Sequence, residues 1–370
     1  MGIDLGSVEF YAGPPVLGGP DDLDKVIREF IGGATTSLLI AVQELDSRVI
    51  AEEILAAKAQ KVRVQMVLEG DYLLEDPPAA DPWSLAGDNE FNRVIHAALL
   101  RGGVDLITDL NPKIFHQKFI VRDPGEPTAA VLTGSTNFTL TDTGTNPPGA
   151  PAKSGNNLNH LVVLHGRTAA GLYQREFERL RSGTFGELRE RREPRPAEFR
   201  LGKIRVKPIF APHQGPEMEI MKQMLKARER VDFAMFTFAQ SSGIDDTMAW
   251  LLKADVPVRG VLDRAQGSQA WAATQPLLKA GAELYENTPG TGVRKIHHKL
   301  MVIDQRLVIA GSFNYTAPAA TLNDENIVVL GDLEETDHDA EQAQRSLAAY
   351  ALTEINRIIT ALGRPVAPKP

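Results

Sequence analysis

The sequence predicts an α/β protein of two similar sandwich domains, each a mixed sheet flanked by helices, related by a pseudo-two-fold axis. Three observations carry that expectation. A chain of 370 residues exceeds what a single hydrophobic core usually serves. Its second half repeats, in the same order, the segments of its first. Within each half, short apolar and β-branched runs alternate with segments of helical period, the pattern of an α/β fold.

The repeat can be followed from end to end. "DLDKVIREFIGG" (22–33) and "EMEIMKQMLKAR" (217–228) carry apolar residues at helical spacing, and glycine ends the first. Strand-like runs follow, "SLLIAVQ" (37–43) and "VDFAMFTF" (231–238), then "RVQMVL" (63–68) and "VRGVLD" (258–263). "ALLRGGVDL" (98–106) resembles "PLLKAGAEL" (276–284). "KFIVRD" (118–123) pairs with "KLMVID" (299–304), and "HLVVLHG" (160–166) with "NIVVLG" (326–331), all read as strands. Spacings differ by insertions in the first half, an acidic, proline-containing one around 71–90 and another around 144–155. The tract 182–200 is charged, contains Pro194 and Pro196 and lacks apolar periodicity, so it reads as the connection between halves. The expected division is a first domain at 1–185, a linker at 186–200 and a second domain at 201–370.

Composition narrows the class. Hydrophobic content of 43% and charged content of 24% are ordinary for a globular protein. The lack of cysteine excludes disulfides, thiolate metal sites and a cysteine nucleophile, and fits the reducing cytoplasm. A net charge of −8 argues against a surface coated in bases for bulk nucleic-acid binding, while leaving room for a local basic cleft. The start, "MGIDLGSVEFYAG", lacks the basic and apolar regions of a signal peptide. No apolar run approaches the ~18 residues of a transmembrane helix.

The chemistry sits in the repeat. "KIFHQKFIVRD" (113–123) holds His116, Lys118 and Asp123; "RKIHHKLMVID" (294–304) holds His297, Lys299 and Asp304 at the same offsets. Downstream, "TGSTNFT" (133–139) and "AGSFNYT" (310–316) supply Ser135 with Asn137 and Ser312 with Asn314. "NLNHLVVL" (157–164) aligns with "NDENIVVL" (323–330), setting Asn159 opposite Glu325. Side chains two apart on a strand share a face, so His297 and Lys299 are expected to point one way and His298 the other. Gln117 takes the place of His298 in the first half, which makes His298 the dispensable histidine. Each aspartate ends its strand on the opposite parity, placed to hold turn backbone. A duplication copies every residue, so the weight rests on polar residues kept while neighbours drift, Phe119 to Leu300 and Thr136 to Phe313.

Two such sets meeting at one interface suit a phosphodiester. One imidazole attacks phosphorus while the other protonates the leaving oxygen and then activates water, since a pKa of ~6.5 makes both protonation states accessible. The lysines, the asparagine amides and the serine hydroxyls are expected to stabilise charge on the phosphoryl oxygens. No metal or other cofactor is required.

At these residues the sequence resembles the phospholipase D superfamily, whose HKD motif is His-x-Lys-x4-Asp followed by Gly-Ser-x-Asn. The resemblance covers both halves. It implies a metal-independent mechanism through a phosphohistidine, with His116, Lys118, Asn137, His297, Lys299 and Asn314 in the site and Asp123 and Asp304 in support. It assigns the nucleophile to His116 and the acid/base role to His297. The family often places a carboxylate downstream of each motif to orient a histidine. Glu325 matches, serving either its own half or the other, but Asn159 stands in the first half. An amide oxygen fixes a tautomer without stabilising an imidazolium, so the two histidines are expected to titrate differently.

The substrate is less sharply marked. "GSFNYTAPAATLNDENIVVL" (311–330) looks like the bacterial nuclease branch, and Lys113, Arg264, Arg294 and Lys295 fall near expected site-edge loops. Nucleic acid is therefore favoured over phospholipid, the alternative; the 71–90 insertion (carrying Trp83 and Leu85) reads first as a variable surface loop, and otherwise as a lid or an apolar contact for lipid. A non-catalytic phosphate-binding module is the lesser alternative, disfavoured because both His–Lys sets are intact. With two motifs in one chain, a functional monomer without an obligatory protein partner is expected.

Overall fold

The computed structural model describes residues 2–85, 87–146, 155–189 and 194–368. Parts of the expected 144–155 insertion and 186–200 linker, residues 147–154 and 190–193, lie outside the described residues. The first half forms strands β1 (Ile3–Asp4), β2 (Val8–Gly13), β3 (Ser37–Val42), β4 (Arg63–Leu68), β5 (Asp105–Thr108), β6 (Lys118–Arg122), β7 (Ala130–Gly134) and β8 (Asn156–His165). They order as β1-β2-β8-β7-β6-β3-β4-β5, with β3-β4-β5 parallel and the remaining pairs antiparallel.

The second half supplies β9 (Phe199–Leu201), β10 (Ile204–Ala211), β11 (Val231–Met235), β12 (Val258–Leu262) and β13 (Glu283–Asn287). After these come β14 (Val293–Ile296), β15 (Lys299–Ile303), β16 (Leu307–Gly311), β17 (Glu325–Leu330) and β18 (Gly363–Pro365). Its sheet runs β18-β13-β12-β11-β15-β16-β17-β10-β9, the same central order as the first. β14 is the exception, because it leaves its own half and pairs in parallel with β8.

Each sheet has an outer and an inner face. Helices Leu23–Gly32, Arg48–Ala59 and Glu90–Arg101 cover the first sheet's outer face, burying Ile27, Ile31, Ile54 and Leu99 against Leu38, Ile40 and Met66. Pro216–Met224, Ile244–Lys253 and Thr274–Ala280 do the same for the second. The inner faces share one core: Val8, Val121 and Val162 from one sheet join Leu300, Val308 and Val328 from the other. Helices Arg167–Arg181 and His338–Arg357 are part of it through Tyr173, Phe177, Leu347 and Ile355. The halves therefore meet through an apolar layer rather than a loose interface.

Element ends shift by a few residues. β8 starts at Asn156, four residues before the expected strand, because β14 offers it a pairing partner there. The connection between halves is also tighter than its charge pattern suggests. Phe185 is buried, and the Arg189 guanidinium, fully enclosed, pairs with Glu176 at 2.9 Å. Among the described residues, no helix is long and apolar enough to cross a membrane.

Candidate active site

Each motif histidine is tied by its backbone to the other half. β14 brings His297 beside β8, where its N–H donates to the Leu158 carbonyl at 2.9 Å. By the two-fold, Phe115 bridges Asp324, and the His116 N–H donates to the Asp324 carbonyl at 3.0 Å. A carboxylate at the end of a neighbouring strand secures each approach. Glu69 accepts from the Phe115 N–H at 2.6 Å, and Asp263 from the Ile296 N–H at 3.1 Å.

The crossing decides which group orients which imidazole. His116 Nδ1 lies 2.6 Å from Glu325 Oε2, which also accepts from Ser312 Oγ at 2.7 Å, while Asn323 donates to Oε1 at 3.3 Å. His297 Nδ1 lies 2.9 Å from Asn159 Oδ1, which accepts from Ser135 Oγ at 2.8 Å. Glu325 thus sits against the histidine of the opposite half. Each Nδ1 is engaged, which leaves Nε2 as the nitrogen available to the cavity. The serines depart from expectation. Both are fully buried and hold the orienting groups, so they are not directed at a substrate phosphate.

The histidines also sit differently from the strand reading. β6 and β15 begin at Lys118 and Lys299, and the residues before them are drawn off the sheet by the cross-half pairing. The lysines lie behind the wall. Lys118 Nζ donates to the His116 carbonyl and to Gln43 Oε1, both at 3.0 Å. Lys299 Nζ donates to the His297 carbonyl at 2.8 Å and stands 5.2 Å from the Phe236 ring centroid. Gln43 and Phe236 are equivalent positions, each donating its N–H to the residue between His and Lys, Gln117 at 2.9 Å and His298 at 3.0 Å.

Asn137 and Asn314 line the cavity, and the Oδ1 atom of each is buried without a hydrogen-bond partner among the described residues. The preceding chain is held by Gly134 and Gly311, at φ 156° and 149°. A Cβ there would fall 2.3 Å from the carbonyl oxygens of His160 and Asn326, so only glycine fits. Asp123 and Asp304 lie away from the cavity. Asp123 accepts from the N–H groups of Thr35, Thr36 and Ser37, and Asp304 from those of Arg228, Glu229 and Arg230. Burial opposes ionisation of Asp123, yet these donors hold its pKa well below the usual carboxylate range.

Burial governs the remaining charges. It pushes His116 and His297 well below 6.5, reinforced in both cases by Lys118 and Lys299. It lowers Lys118 to about 8, with Glu325 opposing, and takes Lys299 well below its ordinary value with Lys118 adding to the effect. The Glu325 carboxyl is raised to about 8 by the same burial, against the pull of Lys118. Burial thus shifts each of these five groups toward its neutral form. An anion between the lysines would reverse this for the histidines and lysines, because negative charge stabilises their cations.

His116, His297, Asn137 and Asn314 open on a cavity of about 970 Å³. Arg294 and Lys295 form part of its wall, whereas Lys113 and Arg264 are not among the described lining residues. The 71–90 insertion contributes Asp71, Tyr72, Leu74, Glu75, Asp76 and Asp88. Trp83 and Leu85, on the same insertion, point to solvent at 90% and 83% exposure rather than into the cavity. His298 is buried away from it: its Nδ1 meets His160 Nδ1 at 3.1 Å and its Nε2 meets Glu354 at 3.3 Å.

Several site residues escaped the sequence reading. Asn157 and Asn323 occupy matched places in the aligned "NLNH" and "NDEN", and Glu69 and Asp263 in "VLEG" and "VLDR", so the repeat did carry their signal. Asp142 had none. It lines the cavity with its Oδ2 3.5 Å from His297 Nδ1, and its counterpart in the second half is Ala319.

A duplicated α/β fold with one His-Lys-Asp set in each half, meeting across a pseudo-two-fold, defines the phospholipase D superfamily. The chain belongs to it: the family described as "Cardiolipin synthase, PLD-like domain" matches residues 27–181 and 220–347. It is 32% identical over 143 residues to a phospholipase D of Rickettsia bellii (strain RML369-C), covering 37% of this chain and 66% of that protein. It is 32% identical over 106 residues to a mitochondrial cardiolipin hydrolase of Chlamydomonas reinhardtii, covering 29% of this chain and 46% of that one. The matches thus span less than two thirds of these relatives' own lengths. The fold is also that of phosphatidylserine synthase from Haemophilus influenzae Rd KW20, at a TM-score of 0.64 and 13% identity over 99% of this chain and 89% of that one.

Proposed function

We propose that the chain hydrolyses phosphodiester bonds through a phosphohistidine intermediate, without a metal ion, and that nucleic acid is its substrate. The observation that carries the reaction is the pair of imidazoles oriented from opposite halves into one cavity. In the first step His116 Nε2 forms a bond to phosphorus and the bond to the leaving oxygen breaks. His297 supplies the proton that the leaving oxygen takes. In the second, His297 removes a proton from water as its oxygen bonds to phosphorus, and the bond to His116 breaks. Lys118 and Lys299 bring positive charge to the developing phosphoryl charge, and the amides of Asn137 and Asn314 donate to its oxygens. Asp123 and Asp304 hold the loops from which β3 and β11 start. One chain carries the whole site, so a monomer suffices.

Arg294 and Lys295 on the wall favour nucleic acid, since both suit phosphates flanking the scissile one. A second reading, a phospholipid headgroup, is favoured by Leu74, Trp83 and Leu85, exposed on the insertion that borders the cavity. Hydrolysis of bis-p-nitrophenyl phosphate in EDTA tests the reaction: steady-state turnover reduced sharply in both His116→Ala and His297→Ala supports it, and dependence on added metal contradicts it. DNA, RNA and phosphatidylcholine vesicles assayed in parallel separate the substrates. Cleavage of nucleic acid that weakens steeply with salt is expected; release of choline from vesicles alone would establish the second reading.

A further inference from the structure

The two halves do not treat their histidines alike. His116 has a carboxylate, Glu325, on Nδ1, whereas His297 has only the Asn159 amide there. The same strand position of the first half therefore lacks the negative charge an imidazolium needs. A carboxylate is nevertheless present. Asp142, from the short helix Leu140–Thr143 that follows the Asn137 loop, places Oδ2 3.5 Å from His297 Nδ1. Its side chain is buried, and Oδ2 also accepts from the Asn137 N–H at 2.7 Å.

The way Asp142 is held points to the same role. In the second half Asn323 donates to the Glu325 carboxylate. In the first, the equivalent Asn157 donates to Asp142 Oδ1. The amide that secures the orienting carboxylate is thus kept at one strand position, while the carboxylate itself has moved from the strand to the helix. Across the repeat Glu325 is matched by Asn159, and Asp142 by Ala319: each half owns one carboxylate, in different places.

We infer that Asp142 is a positioning residue for His297, supplying through space the negative charge that stabilises its imidazolium when it acts as general acid. Asn159 fixes the tautomer and ring plane, and Asp142 supplies the charge. Among the described residues, Lys299, Lys118, Lys295 and His116 oppose protonation of His297, and the uncharged Phe236 ring stands 5.1 Å from it. Asp142 is the acidic group the structure pairs with His297 against them.

This rests on the acid/base reading of His297, so the test uses one readout of its charge and one of catalysis. The full chain is compared as wild type, Asp142→Asn, Asn159→Asp and the double variant. The His297 imidazole is titrated by NMR, assigned by its loss in His297→Ala, and kcat for bis(3′-deoxythymidine) phosphate is measured against pH. This diester has unactivated leaving groups that need a proton. Asp142→Asn is expected to lower the His297 pKa and the alkaline limb of kcat together, by about 1 unit. The double variant returns the carboxylate to the strand and restores most of both, whereas Asn159→Asp alone, with two carboxylates crowded together, brings no gain. A purely structural Asp142 would predict lost activity with an unmoved His297 pKa and no rescue by Asn159→Asp, and that result overturns the inference. A His297 pKa that responds as expected in a protein without phosphodiesterase activity would uphold the pair and refute the reaction.

Discussion

The first and second halves of this molecule build the same pocket wall from different parts. In the second, a strand carboxylate, Glu325, reaches across to His116. In the first, a strand amide, Asn159, reaches across to His297, and a helix carboxylate, Asp142, stands beside it. The lysines differ in the same spirit: Lys118 rests on the Gln43 amide and Lys299 on the Phe236 ring. Behind the wall, Gln117 meets Asn326 at 2.7 Å where His298 meets His160 at 3.1 Å. The duplication preserves the geometry of the backbone and lets the surroundings of the two histidines diverge, as the proposed roles of nucleophile and acid/base would require.

That contrast is breakable, most strongly at the histidines themselves. His116→Ala is expected to reduce kcat by at least about 10⁴-fold on any substrate, because no covalent bond can form. His297→Ala should behave differently on bis-p-nitrophenyl phosphate, whose leaving group departs without a proton. A burst of one nitrophenol per enzyme should precede slow turnover, as water attack then lacks its base. A burst from His116→Ala and none from His297→Ala would reverse the assignment. Next in size is Glu325→Gln, which gives His116 the neutral partner that His297 has on its strand, without an equivalent of Asp142. Replacing a carboxyl, which can take up negative charge as His116 bonds to phosphorus, by an amide that cannot should lower kcat about tenfold, measured at constant pH. An unchanged kcat would mean that the two orienting groups are interchangeable.

The smallest effect is expected behind the wall. His160 Nε2 accepts from the Gly311 N–H, so its proton is on Nδ1 and is donated to His298, whose Nε2–H faces Glu354. Both rings are neutral in this chain of bonds. Since neither lines the cavity, His298→Gln should keep kcat within a few-fold while lowering stability by about 1–2 kcal/mol, read by denaturant unfolding. Adding His160→Asn copies the Gln117–Asn326 pair and should recover part of it. Burial holds both pKa values below 6.5 in the fold, with the other imidazole or Lys299 opposing protonation of His160 and Glu354 favouring that of His298. Below ~6.5 the unfolded chain binds protons that the folded one does not, so stability is complete above that pH and is lost as pH falls beneath it. The loss is about 1.4 kcal/mol per histidine per pH unit, and the double variant should show a shallower fall. An equal slope would mean that the pair is not held neutral.

Much of this was legible because the repeat aligns residues that the fold later brings together. His116 with His297, Asn137 with Asn314 and Glu325 opposite Asn159 all appear from comparing the halves. Three things were not legible. The partners of Glu325 and Asn159 depend on Phe115 bridging Asp324 and on β14 leaving its sheet for β8, pairings between segments more than a hundred residues apart that no local pattern encodes. The serines looked like phosphate donors because they adjoin the asparagines, yet their burial behind Glu325 and Asn159 directs them inward. Asp142 was hidden by the very comparison that revealed the rest, since its counterpart is Ala319, and a role present in one half only leaves no mark in a repeat.

The central claim is that the two histidines divide one reaction between them, with His116 carrying the phosphoryl group. It is tested most directly by quenching His297→Ala with acid-free denaturant after its burst on bis-p-nitrophenyl phosphate and locating the adduct by intact-mass and peptide mass spectrometry. The account predicts one nitrophenyl-phosphoryl group per chain, on the peptide containing His116. An adduct on another residue, or none despite a burst, would contradict it.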